Sequence, residues 1–198
     1  MRKLIVTNII SLDGYYEGPG GDVMALPMDG SFNIHNAERL RAAGTLLLGR
    51  RTYEEFLAYW PQRATDPEET PLARETARLN GAIEKVVVSD SLTPDTSSPW
   101  YSTTRIVRRA DAHREIGTLK ETDGREILVF GSHILWNDLL AAGLVDELHL
   151  MIGPTALGAG TPVFTKGFTE TGVPPLRLLS TRTAEQSDNL LVRYAAGA

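Results

Sequence analysis

Short apolar runs without polar alternation punctuate the chain: Leu4–Ile10, Thr45–Leu48, Lys85–Ser89, Arg105–Val107, Glu126–Phe130, Glu147–Ile152 and Leu190–Tyr194. They have strand length and are rich in β-branched residues. Several lack a polar face, so the sheet they build is expected to be covered on both sides, as in an α/β sandwich. Leu176–Thr183 and Leu190–Tyr194 read as a closing antiparallel hairpin.

Between these runs the period changes to that of helices. Thr52 with Glu55 has the form of a capping box, and Tyr53, Phe56, Leu57 and Trp60 follow on one face. Thr70-Pro71 opens a second helix, lined by Leu72, Thr76 and Leu79 and closed by Gly81. Asp111 caps a third, with Ile116 and Leu119. Ser132 caps a fourth, whose stripe of Leu135, Leu139 and Ala142 stops at Gly143. A fifth is expected over Asn36–Ala43. The irregular stretches are Tyr15–Phe32, Gln62–Glu69, Asp90–Thr104 and Gly153–Gly172, and loops of that length in a compact domain tend to carry function.

The 198 residues fit one domain, 1–198, with no repeat or linker. A net charge of −5 argues against a nucleic-acid or anionic-membrane partner. No cysteine is present, which excludes disulfides, thiolate metal sites and thiol nucleophiles. Asp13, Gly14 and Glu17 follow the first apolar run too soon for a signal peptide, and no apolar stretch is long enough to span a bilayer. A cytoplasmic protein is expected.

Two strand–Gly–helix junctions are the chemical candidates. Phe130-Gly131-Ser132 and Leu48-Gly49-Arg50-Arg51-Thr52 both place a glycine where a helix opens, and the first turn of a helix leaves backbone donors free for a phosphate. The second junction adds two cations, and Arg108-Arg109 is a further basic pair. Read alone, each junction also fits a plain turn. Gly158-Ala159-Gly160 lacks the third glycine and the following helix of a dinucleotide fingerprint. The four histidines, His35, His113, His133 and His149, have no metal-ligand spacing, so no metal is expected. Ser132 has no evident base partner for nucleophilic work.

The ordered series is more specific than any one motif. It runs Ser11-Leu12-Asp13-Gly14, Leu48-Gly49-Arg50-Arg51-Thr52-Tyr53, Val86-Val87-Val88-Ser89, Val129-Phe130-Gly131-Ser132, Gly143–Leu148 and Leu157–Phe164. From about Lys3 to Tyr194 this resembles the dihydrofolate reductase-like fold, and more closely the reductase domain at the C-terminus of bifunctional riboflavin-biosynthesis deaminase/reductases and its stand-alone bacterial relatives.

The resemblance implies a three-layer α/β sandwich with a mixed, mainly parallel sheet, and NADPH as cofactor. It places Leu48, Gly49, Arg50, Arg51 and Thr52 at the 2′-phosphate and pyrophosphate. Ser89 and Asp90 fall near the adenosine ribose-phosphate, where an acid is an odd neighbour for a phosphate. Gly131, Ser132, Ile134 and Leu135 match the second pyrophosphate loop, and Ile9 with the Asp13–Tyr16 loop lies beside the nicotinamide. Two departures count against folate reduction. Asn33–Asn36 lacks the acid of the first helix, leaving Asp29 upstream, and Met151 replaces a strand threonine. The substrate-phosphate pattern is only loosely echoed in Asp66–Arg74.

The implied activity is hydride transfer from NADPH to a C=N or C=O bond of a small heterocyclic or ribosyl substrate. Asp13 and Asp29 are the candidate polar catalytic groups, and Tyr16, Phe32, Trp60 and Phe164 are candidate apolar walls. The rivals are a dihydrofolate reductase and a non-catalytic NADPH-binding module. Family analogy also implies a homodimer.

Overall fold

The computed structural model describes residues 1–93, 95–165 and 174–197. The end of the irregular stretch Gly153–Gly172, from 166 onward, lies outside the described residues.

Among the described residues ten strands and five α-helices form, in order β1 (Leu4–Ser11), β2 (Tyr15–Glu17), α1 (Gly30–Ala42), β3 (Ala43–Gly49), α2 (Arg50–Arg63), α3 (Pro71–Ala82), β4 (Glu84–Val88), β5 (Thr104–Val107), α4 (Ala112–Glu121), β6 (Glu126–Phe130), α5 (His133–Ala141), β7 (Glu147–Gly153), β8 (Thr161–Pro162), β9 (Leu176–Thr183) and β10 (Leu190–Ala196). Eight strands build one sheet in the order β5-β4-β3-β6-β1-β7-β10-β9. The strands from β5 to β7 run parallel, while β10 pairs antiparallel with both β7 and β9. This is the expected mixed, mainly parallel sandwich with a C-terminal hairpin.

The continuous apolar runs are explained by burial on both faces. Leu4, Val6, Val86, Ile127 and Val129 meet Ile116, Leu135, Trp136 and Leu139 of α4 and α5 on one side. Ile5, Leu46, Leu48, Val87, Leu128 and Phe130 meet Leu40 and Tyr53 on the other, with Phe56, Leu57, Trp60 and Leu79 packed against them. Lys85 is fully buried in that second layer. Its Nζ donates to Ile83 O (2.8 Å) and Thr103 Oγ1 (3.1 Å) and lies 4.5 Å from the Trp100 ring, tying down the loop after β4. Burial pushes this ammonium down to about 8.

Local chemistry moves two helix starts and one helix end. The helix expected at Asn36–Ala43 begins at Gly30, because Asp29 accepts from Ser31 N and Phe32 N and caps it. The second helix begins at Arg50, so Thr52 sits buried inside its first turn instead of capping it. The helix closed in expectation by Gly81 continues to Ala82, while its Thr70 cap forms as expected and accepts from Ala73 N. Asp111 and Ser132 both occupy N-cap positions, yet neither side chain caps its own helix. Asp111 pairs with Arg114 at 2.7 Å instead.

Candidate functional site

The chain leaves β3 for the face covered by α1, α2 and α3, but leaves the adjacent β6 for the face covered by α4 and α5. The two connections diverge, and a crevice opens beyond the carboxyl ends of β3 and β6. In open α/β sheets such a switch point is where ligands bind.

The two junctions meet there and bond to each other. Gly49 N donates to Ser132 Oγ, and Ser132 N donates to Thr52 Oγ1, both at 2.9 Å. Gly131 has φ +53, and a Cβ at this position would lie 2.9 Å from Thr52 Cγ2 and 3.2 Å from the Tyr16 hydroxyl. Only glycine allows this approach. Ser132 itself adopts the left-handed conformation, φ 52 and ψ 41, an uncommon one for a non-glycine residue. Neither Gly49 nor Ser132 caps its own helix with a side chain, so the first turns of α2 and α5 keep backbone donors for an anion.

Cations gather beside α2. Arg50 donates from Nε to Glu54 Oε1 and from Nη1 to Ser91 Oγ, each at 2.7 Å. Asp90 is held by two arginines. Arg108 donates to its carbonyl, Arg109 N donates to its Oδ1 (3.0 Å), and Arg109 Nε stands 3.7 Å from its Oδ2. The acid that looks misplaced in the sequence is therefore paired. Arg108 and Arg109 join the expected cations on the turn after β4, and their only trace in the sequence is their adjacency. Ser89 is buried, and its Oγ accepts from Ser91 N and Leu92 N, so it shapes the turn. Arg51 bonds Glu55 (2.9 Å) and stands 3.7 Å from Glu17.

The remaining candidates divide between crevice and core. Leu48 and Leu135 commit their side chains to the two cores, leaving only backbone to face a ligand, whereas Ile134 is exposed. Trp60 packs on the Tyr53 layer and Phe164 on Trp136. Tyr16 stacks on His133 with ring centroids 4.9 Å apart, over Gly131. Burial and the neighbouring Glu17 push its phenol well up. His133 Nε2 lies 2.9 Å from Pro162 O and 3.0 Å from Val163 O, so the end of β8 and the residue after it close over the start of α5.

Near the carboxyl end of β1, Ile9 is buried with Leu26, Met151 and Leu191, and Met28, Phe32 and Leu157 pack against them. Asp13 works as a clasp. It accepts from Ser11 Oγ (2.6 Å), Leu157 N (3.0 Å) and Gly158 N (2.7 Å). These bonds, Ser11 first, hold its carboxyl down to about 2. Asp29 accepts from Ser31 Oγ at 2.8 Å and Ser187 Oγ at 2.5 Å besides capping α1. Burial raises its carboxyl, but these hydroxyls and the cap bonds outweigh it and lower the carboxyl overall.

The sequence did not foresee a polar cluster under α1. His35 and His149 lie with ring centroids 5.5 Å apart. Arg193 Nε donates to His149 Nε2 (3.1 Å) and Arg193 Nη2 to Glu147 Oε2 (2.9 Å). Beside this cluster, a cavity of about 180 Å³ opens between α1 and the β9–β10 hairpin. A second, of about 210 Å³, lies between α2 and the loop after β4. Among the described residues no group of three or more histidines or carboxylates converges as metal ligands would, and no helix is long and apolar enough to cross a membrane.

A mixed sheet of this order, sandwiched by helices and opening at a β3–β6 switch point, defines a dihydrofolate reductase-like α/β protein. The chain belongs to the RibD C-terminal domain family, whose model matches residues 2–189. It is 28% identical over 163 residues to the uncharacterized protein YyaP of Bacillus subtilis (strain 168), covering 82% of this chain and 80% of that one. Among solved structures it resembles a pyrimidine reductase-like protein from Corynebacterium diphtheriae (TM-score 0.66, 16% identity, 98% of this chain and 92% of that one). It also resembles the diaminohydroxyphosphoribosylaminopyrimidine deaminase/5-amino-6-(5-phosphoribosylamino)uracil reductase of Thermotoga maritima (TM-score 0.67, 15% identity), covering 98% of this chain and 56% of that one. Dihydrofolate reductase from Enterococcus faecalis, solved with NADP(H), shares the fold at TM-score 0.59 and 14% identity, over 99% of this chain and 97% of that one.

Proposed function

We propose that the chain, as one domain over 1–198, is an NADPH-dependent reductase that reduces a C=N or C=O bond of a small heterocyclic or ribosyl substrate, in the manner of 5-amino-6-(5-phosphoribosylamino)uracil reductases. The observation that carries this reading is the pair of helix N-termini cross-bonded through Gly49, Ser132 and Thr52. The residues present fit the cofactor. Uncapped first turns of α2 and α5 suit a pyrophosphate, and Gly131 lets the two junctions pack closely enough to share it. Arg50, Arg108 and Arg109 with Ser91 suit a 2′-phosphate, and Ile134 offers an exposed apolar face for an adenine. When bound, NADPH supplies the hydride.

The protein's part is binding and orientation. Asp13 fixes the loop after β1 against Leu157 and Gly158, beside the apolar cluster around Ile9 where this reading sets the nicotinamide. Asp29, held ionised by its hydroxyl and backbone donors, orients Ser31 and Ser187 and offers negative charge to a donor group on the substrate. That commitment is the argument against a dihydrofolate reductase, which needs its acid free. A homodimer goes with this reading, since Leu178, Leu179 and Leu190 stand exposed on the outer hairpin.

The test is titration of the protein with NADPH and NADH, followed by fluorescence, with Arg50→Ala as control. Micromolar NADPH binding that Arg50→Ala weakens supports the reading. Binding of neither nucleotide would remove it.

A further inference from the structure

Ile9 and the cavity under α1 lie on one line across the sheet. Ile9 of β1 pairs with Met151 of β7, Met151 with Leu191 of β10, and Leu191 with Arg182 of β9. At about 4.8 Å between strands, this row carries a ligand roughly 14 Å from Ile9 to the edge of the sheet. Met151, Leu191 and Arg182 also line the cavity, together with Ser31, Ile34 and Asn189. Its volume, about 180 Å³, suits one six-membered ring or a short chain, since a cavity of about 150 Å³ takes benzene.

The two ends of this cavity differ in charge. At the inner end, Ser31 is bonded to the Asp29 carboxylate. At the outer end stands Arg182, its side chain 49% exposed and paired with Glu38, itself 35% exposed, through Nη2–Oε2 at 3.0 Å and a longer Nη1–Oε1 contact at 3.4 Å. Arg182 also donates to His35 Nδ1 at 3.4 Å. A guanidinium has five N–H donors, so these contacts leave some unused. A half-exposed pair of this kind contributes little stability, so a ligand anion can share or displace Glu38 at small cost.

The alternative anion anchor is already engaged. Arg74, in the segment that loosely echoes a substrate-phosphate pattern, spends Nη1 on the carbonyls of Asp66, Pro67 and Glu69 at 3.3, 3.1 and 2.5 Å. It closes its own loop.

We propose that the cavity between α1 and the β9–β10 hairpin receives the distal end of the substrate, and that this end carries a carboxylate or phosphate bound by Arg182. The proposal rests on the reductase reading, which sets the reacting ring beside Ile9. Arg182 is thus a specificity residue, selecting extended, anion-tailed heterocycles over their neutral counterparts.

The experiment is calorimetric titration of the NADPH-loaded full chain with two matched pairs of probes, flavin mononucleotide against riboflavin and pteroate against its amide. In at least one pair the anionic member should bind at least tenfold more tightly. Arg182→Ala should erase that preference, and Glu38→Gln, which frees Arg182, should enlarge it. A gain from Glu38→Gln cannot come from misfolding. Equal binding within both pairs, binding of no probe, or a preference that survives Arg182→Ala overturns the proposal while NADPH binding persists. Loss of NADPH binding by the unmodified chain overturns the reductase reading, and this proposal with it.

Discussion

The backbone N–H of Gly49 donates to the hydroxyl of Ser132 at 2.9 Å, so the N-cap of α2 is bonded to the N-cap of α5 across the gap between β3 and β6. The serine expected to cap its own helix serves the neighbouring one. The return bond from Ser132 N to Thr52 Oγ1 makes the link reciprocal, which fixes the spacing of two helix N-termini before any ligand arrives. Preorganisation of this kind lowers the ordering cost of binding.

Replacing Ser132 with alanine removes the acceptor for Gly49 N. The change should cost about 1 kcal/mol of stability, a fall of roughly 2–4 °C in Tm for a chain of this size, and should weaken NADPH binding severalfold. Calorimetric unfolding and nucleotide titration of the same sample separate the two effects. Unchanged affinity would mean that the cross-link is structural only.

Gly131→Ala tests the close approach directly. Its Cβ would meet Thr52 Cγ2 at 2.9 Å with φ at +53, so the residue is both crowded and in a conformation alanine resists. Overpacking of this sort costs about 1–3 kcal/mol. Because the crowding opens the α2–α5 crevice, NADPH affinity should fall at least tenfold. Wild-type affinity in a folded Gly131→Ala protein would place the nucleotide elsewhere.

Arg109 offers a cleaner separation of cofactors. It is bound to Asp90 through backbone and side chain at the edge of the crevice, clear of both cores. Arg109→Ala should weaken NADPH binding severalfold and leave NADH binding unchanged, with little change in Tm. Equal weakening of both nucleotides would assign Arg109 to the pyrophosphate or to the loop. No effect on either would remove it from the site.

How much of this could be read in the sequence depended on how local the cause was. The strands were legible because burial on both faces leaves unbroken apolar runs, and Thr70-Pro71 was legible because its cap lies within one turn. The start of α1 was not, since Gly30, Ser31 and Asn33 have no helical preference and only the bonds to Asp29 make them helical. The two glycine junctions could be picked out singly, but their mutual bonding depends on residues 83 positions apart. Arg108 and Arg109 were visible only as a charge pair, because what makes them useful is the turn that Ser89 builds between β4 and β5. His35 and His149 carried no sequence signal at all. Their approach follows from helix α1 lying across β7.

That buried pair makes stability fall in mild acid. Desolvation first, then repulsion from His149, lowers His35 to about 3, and desolvation lowers His149 to about 4 despite the pull of Glu147. Arg182 and Arg39 face His35, and Arg193 and Arg39 face His149, all disfavouring an imidazolium. Unfolded histidine takes up its proton near 6.5. Below that value the unfolded chain binds more protons than the native one, so stability drops as pH falls from about 6.5 towards 4. Glu147 adds a second loss lower down. Burial raises its carboxyl, but the neighbouring His149, Lys3 and Arg193 bring it to about 2, so its stabilising contribution holds above about 4.5 and is lost as pH falls towards 2. Between pH 7 and pH 4 each histidine should cost on the order of 3 kcal/mol. Urea unfolding at pH 7.5, 6.0 and 4.5 measures this, with His149→Gln as the comparison. The unmodified protein should lose midpoint steadily across the series, and His149→Gln, though weaker at pH 7.5, should lose less. Parallel declines in the two proteins would mean that the acid sensitivity arises outside the pair.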